Sequence, residues 1–104
     1  GYYTSLALVE GRPAIAYQAD GDLCYKRASN TAGSSWGETK ILASGMFEGK
    51  YASLAVVNGH PAISYISTSD LKYIRAADAV GDTWNPAVPV DTGWVEYGLS
   101  LIHI

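Results

Sequence analysis

Tyr3–Tyr17 reads YTSLALVEGRPAIAY, and Tyr51–Tyr65 reads YASLAVVNGHPAISY. The two stretches stand 48 residues apart, and the register between them holds well beyond their ends. Asp22 opens DLCYKRA where Asp70 opens DLKYIRA, and then Gly33 falls on Gly81, Trp36 on Trp84 and Gly45 on Gly93. Residues 3–46 and 51–94 share 18 of 44 positions with no gap, which is an internal duplication. A period of this length marks an architecture in which one supersecondary unit recurs and each unit covers its neighbour.

Within a unit the local signals are those of four short strands. Leu54, Ala55, Val56 and Val57 form a continuous apolar run, the pattern of a strand buried on both faces. Asn58 and Gly59 follow, and they suit a type I′ hairpin turn because both of its central residues need positive φ. Pro61 opens the next strand, where a missing N–H does least harm to the ladder. Ala62 to Tyr65 alternates small with large. Leu71, Tyr73 and Arg75 then share one face of a third strand, with Lys72 and Ile74 on the other. Ala87 to Val90 reads as a fourth strand, and Pro86 and Pro89 mark it as an edge. No stretch shows helical periodicity with caps.

Composition agrees. The chain has 104 residues, enough for one domain, and its 16% of charged residues lies below the roughly 25% usual for soluble domains. Eleven Gly, eight Tyr and three Trp suit half-buried strands and tight turns. Seven Lys plus Arg, thinly spread in a chain of net charge -3, leave no electrostatic footprint for nucleic acid or an anionic membrane surface. No apolar run approaches the roughly 18 residues of a membrane span, and no basic segment precedes an apolar core at the N-terminus. Cys24, the single cysteine, makes no internal disulfide and reads as a small apolar filler between Leu23 and Tyr25.

These signals predict an all-β chain, a β-propeller fragment of two four-stranded antiparallel blades plus the first strand of a third. Residues 1–50 form one blade, residues 51–98 the second, and residues 99–104 the start of the next. Ser100 and Leu101 fall on Ser53 and Leu54 once one residue is dropped. The run GLSLIHI also resembles translated adapter sequence at the ends of environmental gene fragments, so residues 99–104 read either as that strand or as a truncated tail. Parallel β-helix coils are shorter, and a leucine-rich repeat would carry a Leu ladder with an Asn.

Between the third and fourth strands stands DAVGDTW, from Asp78 to Trp84. It resembles the Asp-box of sialidase-type, BNR-repeat propellers, whose usual order is Ser/Thr, any, Asp, any, Gly, any, Thr, Trp. One extra residue separates Asp78 from Gly81, and Ala76 stands where the leading hydroxyl would be. The first copy has Asn30 in place of the Asp, with Gly33, Ser35 and Trp36 following. The resemblance implies a propeller and a structural role for Asn30, Gly33, Trp36, Asp78, Gly81 and Trp84, since such boxes lie far from catalysis in that family. The chemistry points the same way: a carboxylate or amide oxygen accepts backbone N–H groups, Gly supplies positive φ, and Trp packs between sheets.

A sialidase-like site, as the resemblance would have it, needs three convergent arginines, a Tyr paired with a Glu, and an Asp acid. Only Arg12, Arg27 and Arg75 are present. Arg27 and Arg75 occupy the same repeat position, so each is expected to span its own blade face. Tyr17, Tyr25, Tyr65 and Tyr73 recur in register and read as packing residues, and Asp22 and Asp70 recur as turn caps. His60 and His103 have no neighbouring ligands for a metal. No P-loop, dinucleotide fingerprint or nucleophile elbow is present, so the sequence assigns no catalytic residue, metal or cofactor.

What differs between the copies is more telling. In a meander, the loops into each unit share a rim with the second-to-third turns, and that rim carries Phe47, Glu48, Trp94, Glu96 and Tyr97 as candidate binding residues. Aromatic rings offer an apolar face to a sugar or peptide, and carboxylates accept hydroxyl hydrogen bonds. The competing reading is that Phe47 and Trp94 plug the gap between blades. The residues favour a non-catalytic repeat segment of a secreted or cell-surface protein of bacterial type that recognises a glycan or a protein. Two alternatives stay open: a piece of a sialidase-like glycoside hydrolase whose active residues lie on other blades, and a structural repeat that self-associates through its open blade faces.

Overall fold

The computed structural model describes residues 2–44, 48–67 and 70–91. They form eight strands and, among the described residues, no helix. The first sheet holds β1 (Tyr2–Val9), β2 (Arg12–Ala19), β3 (Asp22–Arg27) and β4 (Lys40–Ala43). The second holds β5 (Glu48–Val57), β6 (His60–Ser67), β7 (Asp70–Arg75) and β8 (Val88–Asp91). Each sheet is an antiparallel meander in chain order, so β4 and β8 are edges. β5 begins three residues before the boundary at 51 that the repeat alignment suggests, because Glu48 pairs with Ser67 across the ladder.

The turns follow from their residues. Asn58 and Gly59 sit at φ 49° and 78°, and Glu10 and Gly11 in the first sheet at 50° and 77°. Both central residues thus have the positive φ of a type I′ turn, whose twist matches that of the strands it joins. Asp20 and Gly21 make a further turn of the same kind between β2 and β3.

Each sheet has two unlike faces. The front of the first carries Ala14, Ala16, Leu23 and Tyr25, with Val9 at the end of β1, and its back carries Leu6, Ile15, Tyr17 and Cys24. The front of the first sheet packs on the back of the second, where Leu54, Ile63, Tyr65 and Ile74 complete one core. β1 and β5 are also linked across this interface, for the Leu54 N–H donates to the Ser5 hydroxyl at 3.0 Å.

The run Leu54–Val57 is therefore not buried on both faces. Leu54 is buried, whereas Ala55 and Val57 are exposed because no described element covers the front of the second sheet at β5, and Val56, on the back with Leu54, is 43% exposed outside the inter-sheet core. Cys24 is a buried free thiol, as its strand position suggests, and burial raises its pKa, with the carboxylate of Asp22 adding to the shift.

Candidate functional site

The connections from β3 to β4 and from β7 to β8 are built alike. Asn30 Oδ1 accepts the N–H groups of Gly33 at 2.8 Å and Ser34 at 3.1 Å, and Asn30 Nδ2 donates to the Ser34 hydroxyl at 3.0 Å. Asp78 does more with its charge. Its Oδ1 accepts the N–H groups of Val80 at 3.2 Å, Gly81 at 2.6 Å and Asp82 at 3.0 Å, while Oδ2 accepts the Thr83 N–H at 3.1 Å and hydroxyl at 3.0 Å. Gly33 and Gly81 have φ of 75° and 84°, and the indoles of Trp36 and Trp84 donate to their carbonyls at 2.8 and 2.7 Å. Asn30, Gly33, Trp36, Asp78, Gly81 and Trp84 are thus tied into two turn staples.

Burial alone would raise the Asp78 pKa, but the bonds from the Gly81 amide, the Thr83 hydroxyl and the Asp82 and Thr83 amides outweigh it and hold the value low. A carboxylate lowered on folding stabilises above its unfolded value of about 3.9 and loses that contribution as pH falls through the folded value. Asp78→Asn should therefore flatten the acid limb of the melting temperature measured against pH, since an amide at this position bonds as Asn30 does without titrating. An unchanged acid limb would place the acid sensitivity elsewhere.

The two sheets are keyed together by Tyr25. Its ring, carried on β3 of the first sheet, is buried against the second sheet's turn, and its hydroxyl donates to the Val80 carbonyl at 3.0 Å. The Trp84 indole meets it edge-on with ring centroids 5.1 Å apart. A Cβ on Gly81 would lie 2.5 Å from the tyrosine ring, so only glycine admits it. Burial pushes the phenol pKa up to about 12, with Arg27 opposing the shift and Asp78 and Asp82 adding to it.

Beside Tyr25, on the rim of the hairpin turns, a groove of about 310 Å³ separates the sheets. Arg12, Arg27 and Lys40 line it together with Glu38 and Asp82. Arg27 is partly committed: its Nε donates to the Val9 carbonyl at 2.9 Å and its Nη2 to the Glu10 carbonyl at 3.3 Å. Arg75 does the same in its own sheet, with Nε and Nη2 reaching the Val57 carbonyl at 3.3 and 3.1 Å. Each of these arginines braces its own hairpin, and among the described residues they do not converge on a common point. His60, the counterpart of Arg12, has its Nδ1 2.9 Å from the Ala76 carbonyl, a bond that positions the ring within its own sheet. No group of three His, Cys, Asp or Glu side chains suited to a metal ion occurs among the described residues. No helix among them is long and apolar enough to cross a membrane.

The opposite rim shows what the sequence reading did not anticipate. Tyr3 and Tyr51, 48 residues apart, sit at φ 57° and 53° where the ladders of β1 and β5 shift register. A bulky side chain in this region is a steric outlier costing on the order of 1–3 kcal/mol. Their rings lie 4.6 Å apart between centroids at an interplanar angle of 54°, and each remains more than a third exposed. No local pattern announces such a bulge; only the recurrence of Tyr at the same repeat position hints that the residue is held there by its counterpart.

Of the candidate binding residues, Phe47, Trp94, Glu96 and Tyr97 lie outside the described residues, as do residues 99–104. Glu48 is described as the first residue of β5. No protein-family model matches the chain, and a comparison with curated proteins finds no match.

Proposed function

We propose that the chain is two blades of a β-propeller repeat array from a secreted or cell-surface protein, and that its function is non-catalytic recognition of a saccharide at the loop rim. The observation that carries this reading is the tyrosine pair. Tyr3 and Tyr51 both hold a strained backbone, and the result is two partly exposed rings side by side on the rim where loops enter each sheet. Strain of this kind concentrates where a scaffold presents ligand-binding groups. An aromatic face suits the C–H face of a sugar ring, with polar loop groups left to fix its orientation. Recurrence argues for binding over catalysis, since a repeat protein can offer the same contact on every unit whereas a catalytic set has to be unique.

The glycosidase alternative gains little support, because Arg27 and Arg75 are engaged with the carbonyls of their own hairpins, and Arg12 shares its groove on the hairpin rim with Arg27 but not with Arg75. Binding to an array of immobilised neutral and acidic oligosaccharides tests the proposal. The expected result is retention of a subset by the intact chain, reduced at least tenfold by Tyr3→Ala and by Tyr51→Ala in protein that keeps its β-sheet circular dichroism. No retained saccharide, or retention indifferent to both substitutions, would overturn it.

A further inference from the structure

The contact between the two sheets is made by positions that each sheet also presents on its far side. Leu54 is 6% exposed on the back of the second sheet, and its counterpart Leu6 on the back of the first is 67% exposed. Val9 is fully buried on the front of the first sheet, and its counterpart Val57 on the front of the second is 38% exposed. Ile15 and Tyr17 are likewise half-buried where Ile63 and Tyr65 are wholly buried, and Leu71 and Tyr73 are half-buried where Leu23 and Tyr25 are wholly buried. Burying the outer set removes apolar surface from water, the same driving force that holds the inner set.

We propose that the front of the second sheet docks on the back of the first sheet of a second copy of this chain, repeating between molecules the interface that each chain makes within itself. The specific locks of the internal interface are present on both outer faces. Tyr73 stands where Tyr25 stands and meets the turn of the next copy at Gly33, the counterpart of Gly81, with Trp36 in the place of Trp84. Gly33 has the same left-handed backbone as Gly81. Ser53 stands where Ser5 accepts the Leu54 N–H, and Leu6 stands where Leu54 donates it. Three of the ten core positions depart from the match: Ser64 stands for Ala16, Thr4 for Ala52, and the half-buried Lys26 for Ile74, where a long aliphatic stem lets a lysine cover apolar surface with its ammonium at the rim.

The two docking faces are different surfaces, so the contact is head-to-tail and closes only as a ring. Two, three or four copies would give four, six or eight sheets, within the range of about four to eight blades that closed propellers use. This inference stands on the sheet interface alone and is independent of saccharide binding.

Light scattering with two complementary variants tests it. Leu6→Lys spoils only the back face, and Val57→Lys spoils only the front face. Wild-type chain is expected at a multiple of 11.1 kDa and each variant at 11.1 kDa, while an equimolar mixture forms a heterodimer of twice that mass, because each variant keeps the half that the other lacks. Ile15→Lys and Ala55→Lys on the same two faces replace either variant that loses its wild-type circular dichroism. If wild-type chain forms polydisperse assemblies, the same mixture caps them at the heterodimer. A wild-type monomer at every concentration, variants that leave the mass unchanged, or a mixture that stays monomeric would each overturn the proposal.

Discussion

Gly81→Ala is expected to be the most damaging single-methyl change in the chain. At φ 84° an alanine gives up roughly 1–2 kcal/mol to the left-handed backbone. Its Cβ would also sit 2.5 Å from the Tyr25 ring, and that ring is buried and bonded to Val80, so it has nowhere to retreat. Overpacking of this kind costs typically a further ~1–3 kcal/mol, which places the total at about 3 kcal/mol or more. Gly59→Ala is the internal control. Its φ is 78°, but nothing lies within 4 Å of the added methyl, so only the backbone cost remains. In chain kept monomeric by Leu6→Lys, Gly33→Ala should fall between them, with Pro13 Cγ 3.1 Å from the new Cβ. Chemical denaturation of the three variants reads the order directly, and equal losses at positions 59 and 81 would show that the tyrosine does not fill the turn.

Trp84→Ala should cost about 3 kcal/mol or more, toward the usual range for removing a large aromatic from a packed site. The loss has three parts: the indole's bond to the Gly81 carbonyl, its edge-on contact with Tyr25, and the cavity left beside the inter-sheet core. In chain kept monomeric by Leu6→Lys, Trp36→Ala removes the matching bond to the Gly33 carbonyl but no tyrosine contact from a second sheet. It should therefore cost roughly half as much, on the order of 1–2 kcal/mol, in the ordinary range for a partly buried side chain. Melting curves of the two variants compare residues with the same sequence context and different tertiary surroundings. Equal shifts would mean that the turns, and not the packing of one sheet on the other, set the value of the indole.

Much of the sheet construction was legible in the sequence, because it depends on near neighbours. Asn58–Gly59 announced a turn that needs positive φ twice, the prolines around the fourth strand announced an edge, and the alternation in β6 set which side chains share a face. Facing was not legible to the same degree. Tyr17, Tyr25, Tyr65 and Tyr73 looked equivalent in register, yet Tyr25 and Tyr65 are fully buried and the other two are not. What separates them is whether another sheet lies on that side, which a repeat does not reveal about its own ends. The apolar run Leu54–Val57 misled in part for the same reason, since Ala55 and Val57 face the uncovered side, while Val56 shares the covered side with Leu54 but lies outside the inter-sheet core. The strained tyrosines at 3 and 51 were hidden more deeply. Their backbone is fixed by a bulge and by a ring contact across 48 residues, and no local propensity favours that conformation.

The central claim is that the first sheet's front carries Tyr25 into the second sheet's turn. Aromatic nuclear Overhauser contacts measure this most directly, because Tyr25 and Trp84 belong to different sheets and their ring centroids lie 5.1 Å apart. Cross-peaks between the Tyr25 ring and the Trp84 indole, together with cross-peaks between Tyr3 and Tyr51, are the predicted result. A Tyr25 ring that shows contacts only within its own sheet, or a Trp84 indole with no tyrosine neighbour, would contradict the stacking on which the rest depends.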